Sequence, residues 1–294
     1  MSRTRLRGLE IAGIQIGIEV PKSCSWQWAD EDLAEFACLP RNPEVHVGVR
    51  VGDVGTRDLG GERYAMGAWT FEVARQGDDW LLGLTRAGAR EQLALFDQDF
   101  RTGEIIISSH VAGRGGYPLQ SPLDEWIVLH RNVARGGLCL SGAATADRGR
   151  ARVRLGTGAS PTSNRWSAST LFGRNTLWLC ESEGDLRIHR TPWADAMDHA
   201  LGFDARVLEL EHAEESTAAF SEVLDPDEAA EILVAHAVVP LCDDALLERV
   251  LQNARKLAEL VPFRRIGEPF AVEAPMSWQS TQLQGGFAPP RSLA

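Results

Sequence analysis

Apolar and polar positions alternate at period two through much of the first 115 residues. Ile14, Ile16, Ile18 and Val20 are separated by polar residues or glycine, and Val45, Val47, Val49 and Val51 by His46, Gly48 and Arg50. That is the pattern of a strand with one buried face. Further strands are predicted at 69–73, 80–84 and 104–108, with Gly60-Gly61 and the run 76–79 as turns and a short helix over 30–38. Near Ser121 the period changes. Ser121-Pro122 reads as an N-cap followed by proline at the first helical position. Leu123, Trp126, Ile127, His130 and Val133 then keep helical spacing up to Gly136-Gly137. Strands are expected at 138–144, 151–155, 176–181, 186–190 and 207–210. Two helices come next, opened by Asp225-Pro226-Asp227-Glu228 and by Asp243-Asp244. Acidic caps and a first-turn proline suit the orphan N–H groups of a helix start. In the second helix Leu246, Leu247, Val250, Leu251, Ala254 and Leu257 share one face.

The resulting picture is a β-rich N-terminal region, 1–115, joined to an α/β region, 116–274, with a loosely ordered tail at 275–294. The junction falls where Gly113, Gly115, Gly116 and Pro118 cluster, and each region is expected to bury its own core. A length of 294 residues suits one large domain or two modest ones. With 44% hydrophobic and 24% charged residues, the chain is an ordinary globular one, not a disordered one.

Charge and chemistry narrow the function classes. A net charge of −11 argues against nucleic acid as a partner, which calls for a basic stripe. The start is basic, but Gly13, Gln15, Gly17 and Glu19 break the apolar residues after it into single positions. A signal peptide or membrane span needs a continuous apolar run, so a cytoplasmic location without membrane attachment is expected. Cys24, Cys38, Cys139, Cys180 and Cys242 have no C-x-x-C spacing and read as reduced thiols. His189, His199 and His212 lack the spacing of a metal site on one element. Asp97 with Asp99, and Asp243 with Asp244, read as turn and helix caps rather than acid/base pairs. The nine tryptophans are mostly core, with Trp26, Trp28 and Trp278 in segments able to meet a partner. Of 30 Lys and Arg residues only Lys22 and Lys256 are lysines. Chemistry that needs a lysine beside a phosphate therefore has two candidates in the whole chain.

The segment 156–163, Gly-Thr-Gly-Ala-Ser-Pro-Thr-Ser, comes after a strand-like run and stands in register with the phosphate-cradling pattern G-x-x-x-x-G-K-[ST]. Gly156 and Ser163 match it. Pro161 replaces the second glycine, which removes an N–H donor, and Thr162 replaces the lysine.

Several segments around this loop succeed one another in a telling order. They are Gly136-Gly137-Leu-Cys-Leu-Ser-Gly-Ala-Ala144, the turn 147–150, the hairpin ending in Thr191-Pro192-Trp193, the helix start at Asp225, and the run from Pro240 through Asp243-Asp244 to Pro262. From about 121 to 272 this order resembles the HPr kinase/phosphorylase family, whose P-loop fold is related to phosphoenolpyruvate carboxykinase. It is similar in particular to the HPr kinase-like proteins of peptide-modification gene clusters. The resemblance implies a P-loop α/β domain that binds ATP and Mg²⁺ and phosphorylates serine in a protein substrate. It also places Gly156, Gly158, Ser160, Thr162 and Ser163 in the phosphate loop, with Arg165, Arg174 and Trp193 as phosphate or partner contacts.

The departures from the family fall on its chemistry. Ser141 stands at the family's histidine, Thr162 at its lysine, and Arg174-Asn175 at its metal-holding aspartate pair. Phosphoryl transfer rests on positioning and charge neutralisation by lysine and Mg²⁺. The expectation is therefore a degenerate member without catalytic residues, metal or cofactor, which binds a peptide or protein partner and is able to form a homo-oligomer. One alternative is an active serine kinase that places Arg152, Arg154 or Arg165 on phosphates, since arginine makes bidentate phosphate contacts. Another is a structural subunit of a larger assembly.

Overall fold

The computed structural model describes residues 4–29, 31–156, 170–193, 204–239 and 243–269. Within them the chain is mixed α/β and strand-rich, built on two sheets. The first sheet holds β1 (Thr4–Ile11), β2 (Ile14–Pro21), β3 (Ala37–Cys38), β4 (Val45–Val51), β5 (Glu62–Met66), β6 (Trp69–Gln76), β7 (Asp79–Arg86), β8 (Ala89–Phe96) and β9 (Thr102–Ile107). Their order is β3-β1-β2-β4-β9-β8-β7-β6-β5. β5 to β9 form an antiparallel meander, which parallel pairing through β4 joins to the β1–β2 hairpin. The two-residue turns Ala12-Gly13 and Ala87-Gly88 have positive φ at both positions, which matches the twist of the strands they connect. Ile14, Ile16, Ile18, Val45 and Val47 face inward and are almost fully buried. Each such side chain contributes about 1.5–3 kcal/mol on burial.

Short helices flank this sheet: α1 (Glu31–Glu35) and α2 (Ser109–Gly113). The helix expected over 30–38 is thus shorter, and Ala37–Cys38 pairs with β1 instead. Then comes α3 (Leu123–Ala134), which packs against β2 of the first sheet and against the second sheet. Ser121 is not its cap. The Ser121 hydroxyl donates to Glu125 Oε1 (2.7 Å), and Pro122 stands at the N-cap without a side-chain cap bond. The hydroxyl is taken by a carboxylate rather than by a first-turn N–H. Buried Arg131 ties α3 to the first sheet through Glu44 Oε1 (2.8 Å from Nε) and the Asp99 carbonyl (2.9 Å).

The second sheet holds β10 (Leu138–Asp147), β11 (Arg150–Gly156), β12 (Thr170–Ser182), β13 (Asp185–His189), β14 (Asp204–Ser216), β15 (Phe220–Val223) and, after helices α4 (Pro226–Ala235) and α5 (Asp244–Ala258), β16 (Phe263–Pro269). The order is β11-β10-β12-β13-β14-β16-β15. A parallel β11–β14 pairing closes β11, β10, β12, β13 and β14 into a five-stranded ring. The helices do not alternate with these strands, as the sequence pattern suggested; α4 and α5 come together between β15 and β16. Their caps are as expected. Asp225 accepts from Glu228 N–H (3.0 Å) and Asp243 from Leu246 N–H (3.1 Å). Of the expected α5 face, Leu246, Val250, Ala254 and Leu257 are buried, while Leu247 and Leu251 are exposed.

Among the described residues the core does not divide. Buried residues from Leu9 of β1 to Phe263 of β16 form one contiguous cluster with α3 inside it. The cluster takes in Tyr117 and Leu119 at the glycine-rich junction, in place of the two separate cores expected there. No helix among the described residues is long and apolar enough to cross a membrane.

Candidate functional site

Strand β11 leads to the segment that resembles a phosphate loop, and its last residue shows how that end is built. Gly156 pairs in register with Ala213 of β14 and has φ +92°. A Cβ there would lie 2.3 Å from the Ala213 carbonyl oxygen and 3.0 Å from the His212 ring, so the close approach of the two backbones admits only glycine. Gly156→Ala is expected to lower folding stability by about 2–4 kcal/mol, from left-handed strain plus overpacking. The midpoint of urea unfolding checks it, and an unchanged midpoint contradicts this geometry.

Two histidines meet beside this glycine. His212 lies on β14, and His236 is the C-cap of α4; their ring centroids are 5.4 Å apart. The chain leaving α4 docks on the start of β10. Ser141 N–H donates to the His236 carbonyl (2.8 Å), and Val238 N–H to the Cys139 carbonyl (2.8 Å). Ser141, at the position where the resembled family has histidine, is thus bonded to the backbone of a histidine from another element. Burial lowers the pKa of both rings. At His212 Glu214 opposes the shift and Arg265 adds to it; at His236 the neighbouring His212 adds to it. Both imidazoles are neutral at pH 7, and buried His212 Nδ1 has no hydrogen-bond partner among the described residues.

The cations nearby are already engaged. Arg265 donates to Glu222 (2.7 Å) and to Glu228, with Glu214 at 3.9 Å. Lys256, by contrast, is engaged near the β12–β13 turn, facing Glu181 at 3.3 Å. Arg264 donates to Glu209 (2.5 Å), and Arg152 stands 3.9 Å from the same carboxylate. The arrangement offers neutral donors and acceptors, the equipment of a binding surface, with the flanking positive charge neutralised in place.

Trp193 sits elsewhere. It packs on Trp178 of β12 (centroids 5.6 Å apart), and its side chain lies close enough to Asp124 of α3 to favour the charged carboxylate. Burial, and then Glu125, hold the Asp124 carboxyl well above the usual range. Just before this turn Arg190 is buried and ion-paired with Glu35 of α1. The Thr-Pro-Trp turn therefore anchors β13 to α3 and α1. Arg174 lies on β12 opposite Ala143 of β10. Gly158, Ser160, Thr162, Ser163 and Arg165 lie outside the described residues, as do His199, Cys242 and Trp278.

The remaining sequence candidates resolve into structure. Asp97 caps its turn by accepting from the N–H groups of Asp99 (3.0 Å), Arg101 (2.9 Å) and Thr102 (2.7 Å). His189 Nε2 is 3.0 Å from Cys180 Sγ. Trp26 and Trp28 stack edge to face at 4.7 Å, and Trp26 is buried. Among the described residues no group of three or more His, Cys, Asp or Glu could hold a metal ion. The His212–His236 pair is invisible in the sequence, because strand pairing and the path of the chain after α4 create it and no local spacing records it.

No protein-family model matches this chain, and no curated protein is similar to it.

Proposed function

We propose that this chain is a degenerate HPr kinase-like protein that binds a peptide or protein partner in the cytoplasm and transfers no phosphoryl group. In this reading residues 116–274 are the kinase-like P-loop domain, and the strand-fed loop 156–163 has lost its chemistry. The observation that carries the reading is the end of β11. Gly156 still makes the close backbone approach of a loop entrance, yet its neighbours are two neutral imidazoles, and Arg265 beside them is spent on carboxylates. The sequence adds Thr162 for lysine, Pro161 for glycine and Arg174-Asn175 for the acidic pair. A missing charge-assisted phosphate contact costs about 1.5–3 kcal/mol, roughly tenfold or more in affinity. Without an acidic pair there is no anionic seat for the Mg²⁺ that bridges the β- and γ-phosphates.

Calorimetry of the full chain with Mg-ATP tests this, alongside a radiolabelled phosphotransfer assay. The expected result is no binding tighter than roughly millimolar and no transfer. Thr162→Lys alone restores neither, since Pro161 and the missing acids remain. Micromolar binding that Arg165→Ala abolishes would reject the reading in favour of an active kinase with an arginine-based site.

A further inference from the structure

A cavity elsewhere in the fold takes none of its walls from the end of β11 and does not depend on the reading of that site. It has a volume of about 360 Å³ and opens between the β6–β7 turn, the β8–β9 turn, α3 and the first turn of α5. Arg75 and Arg249 line it, together with Asp78, Asp99 and Asp243. His130 of α3 is at its wall, with only 6% of its side chain exposed, and its Nε2 has no hydrogen-bond partner among the described residues. Trp80, Phe100 and Trp126 surround the ring from the core side.

The charges around the cavity are paired only loosely. Arg249 stands 3.8 Å from Asp99, Arg75 3.8 Å from Asp243, and His130 Nδ1 3.7 Å from Asp243. All three separations exceed hydrogen-bonding distance. Arg249 has no hydrogen-bond acceptor, and the Asp99 carboxylate no donor, among the described residues. Arg75 is held in place by stacking on Trp80 (3.3 Å) and by donating to the Asp78 carbonyl (2.8 Å), which occupies only one of the five N–H donors of its guanidinium. Asp243 spends one oxygen capping Leu246 N–H, while Ala245, one residue earlier in the first turn, also lines the cavity. First-turn N–H groups favour negative charge.

We propose that this cavity binds a small zwitterion of the free amino-acid type. The ligand's carboxylate lies between Arg249, Arg75 and the first turn of α5, its ammonium meets Asp99 and Asp78, and its side chain rests on Leu246. A simple anion would face three carboxylates and a simple cation two guanidinium groups. A molecule with both charges satisfies both sets, and a volume near the lower end for ligand pockets suits a ligand of this size.

Isothermal titration calorimetry of the full chain with each standard L-amino acid tests the site. At least one is expected to bind with Kd below about 10 mM. Its N-acetyl derivative, which lacks the ammonium, and its amide, which lacks the carboxylate, should each bind about tenfold more weakly, the effect of one lost charge-assisted contact. Arg249→Gln and Asp99→Asn, both at partly exposed positions, should lose about as much while unfolding at the same temperature as the parent protein. The proposal is overturned if no amino acid binds below that limit, if either derivative matches its parent, or if binding survives Arg249→Gln unchanged.

Discussion

Acidification from pH 7 to pH 4.5 is expected to weaken the fold through His130 alone by about 2–3 kcal/mol. The ring is pushed down to a pKa of about 3, first by burial and then by the guanidinium groups of Arg75 and Arg249. In the unfolded chain it titrates near its ordinary value of 6.5. Between these two values the unfolded state takes up a proton that the folded state refuses. Stability from this group is therefore complete above pH 6.5 and drains away as pH falls towards 3, by about 1.4 kcal/mol per unit. His189, His212 and His236 are shifted in the same direction. Buried Asp124 is shifted the opposite way for a carboxyl, so the stability it contributes is present at low pH and lost as pH rises. The measurement is thus a difference. Urea midpoints across pH are compared for the parent chain and for His130→Gln, which keeps a polar side chain but cannot titrate. The parent profile should fall more steeply below pH 6.5, and parallel profiles would show that His130 is not held neutral.

That histidine also illustrates how far the sequence can be read. Its helix is legible, because Leu123, Ile127, His130 and Val133 fall on one face and the closing glycines come next. The environment of its ring is not, since Arg75, Trp80, Phe100 and Asp243 arrive from β6, β7, the β8–β9 turn and the start of α5. The strands show the same division. β2 and β4 alternate cleanly and are legible nearly to their ends. β8 escapes the pattern because its inward positions include Glu91 and Gln92, both buried. Arg114 neutralises Glu91 (3.1 Å), and Gln92 donates to the Tyr117 carbonyl (3.3 Å). β14 is legible only at 207–210, and β16 not at all. Their acids and bases look solvated in one dimension, but the parallel register sets Glu211 opposite Arg264 and His212 opposite Arg265. Caps are legible at Asp225 and Asp243, where the bond spans three residues. At the candidate site Gly156 stands out in the sequence for its place before a loop. What makes it glycine is the Ala213 carbonyl 57 residues later.

Two adjacent glycines should respond very differently to the same substitution. Gly136-Gly137 reads in the sequence as one helix stop, but the two residues are there for separate reasons. Gly136 has φ +88° and open space around its missing side chain, so Gly136→Ala meets only left-handed strain, about 1–2 kcal/mol. Gly137 has ordinary φ and no space. A Cβ would come 2.4 Å from Asn132 Oδ1 and 2.5 Å from the Leu179 carbonyl oxygen. Buried Asn132 spans this point, donating to the carbonyls of Leu138 (3.2 Å) and Leu179 (3.3 Å). The Gly137 carbonyl accepts from Asn253 of α5 (2.9 Å). A methyl group there pushes Asn132 off two backbone acceptors and separates α3, β10, β12 and α5 where they converge. Overpacking and the lost hydrogen bonds together put Gly137→Ala at about 3–5 kcal/mol, a large share of the 5–15 kcal/mol that holds a typical domain. Urea unfolding of the two variants in one buffer decides between the explanations. If Gly136→Ala proves as damaging as Gly137→Ala, the junction is governed by backbone conformation rather than by the absence of room beside Asn132.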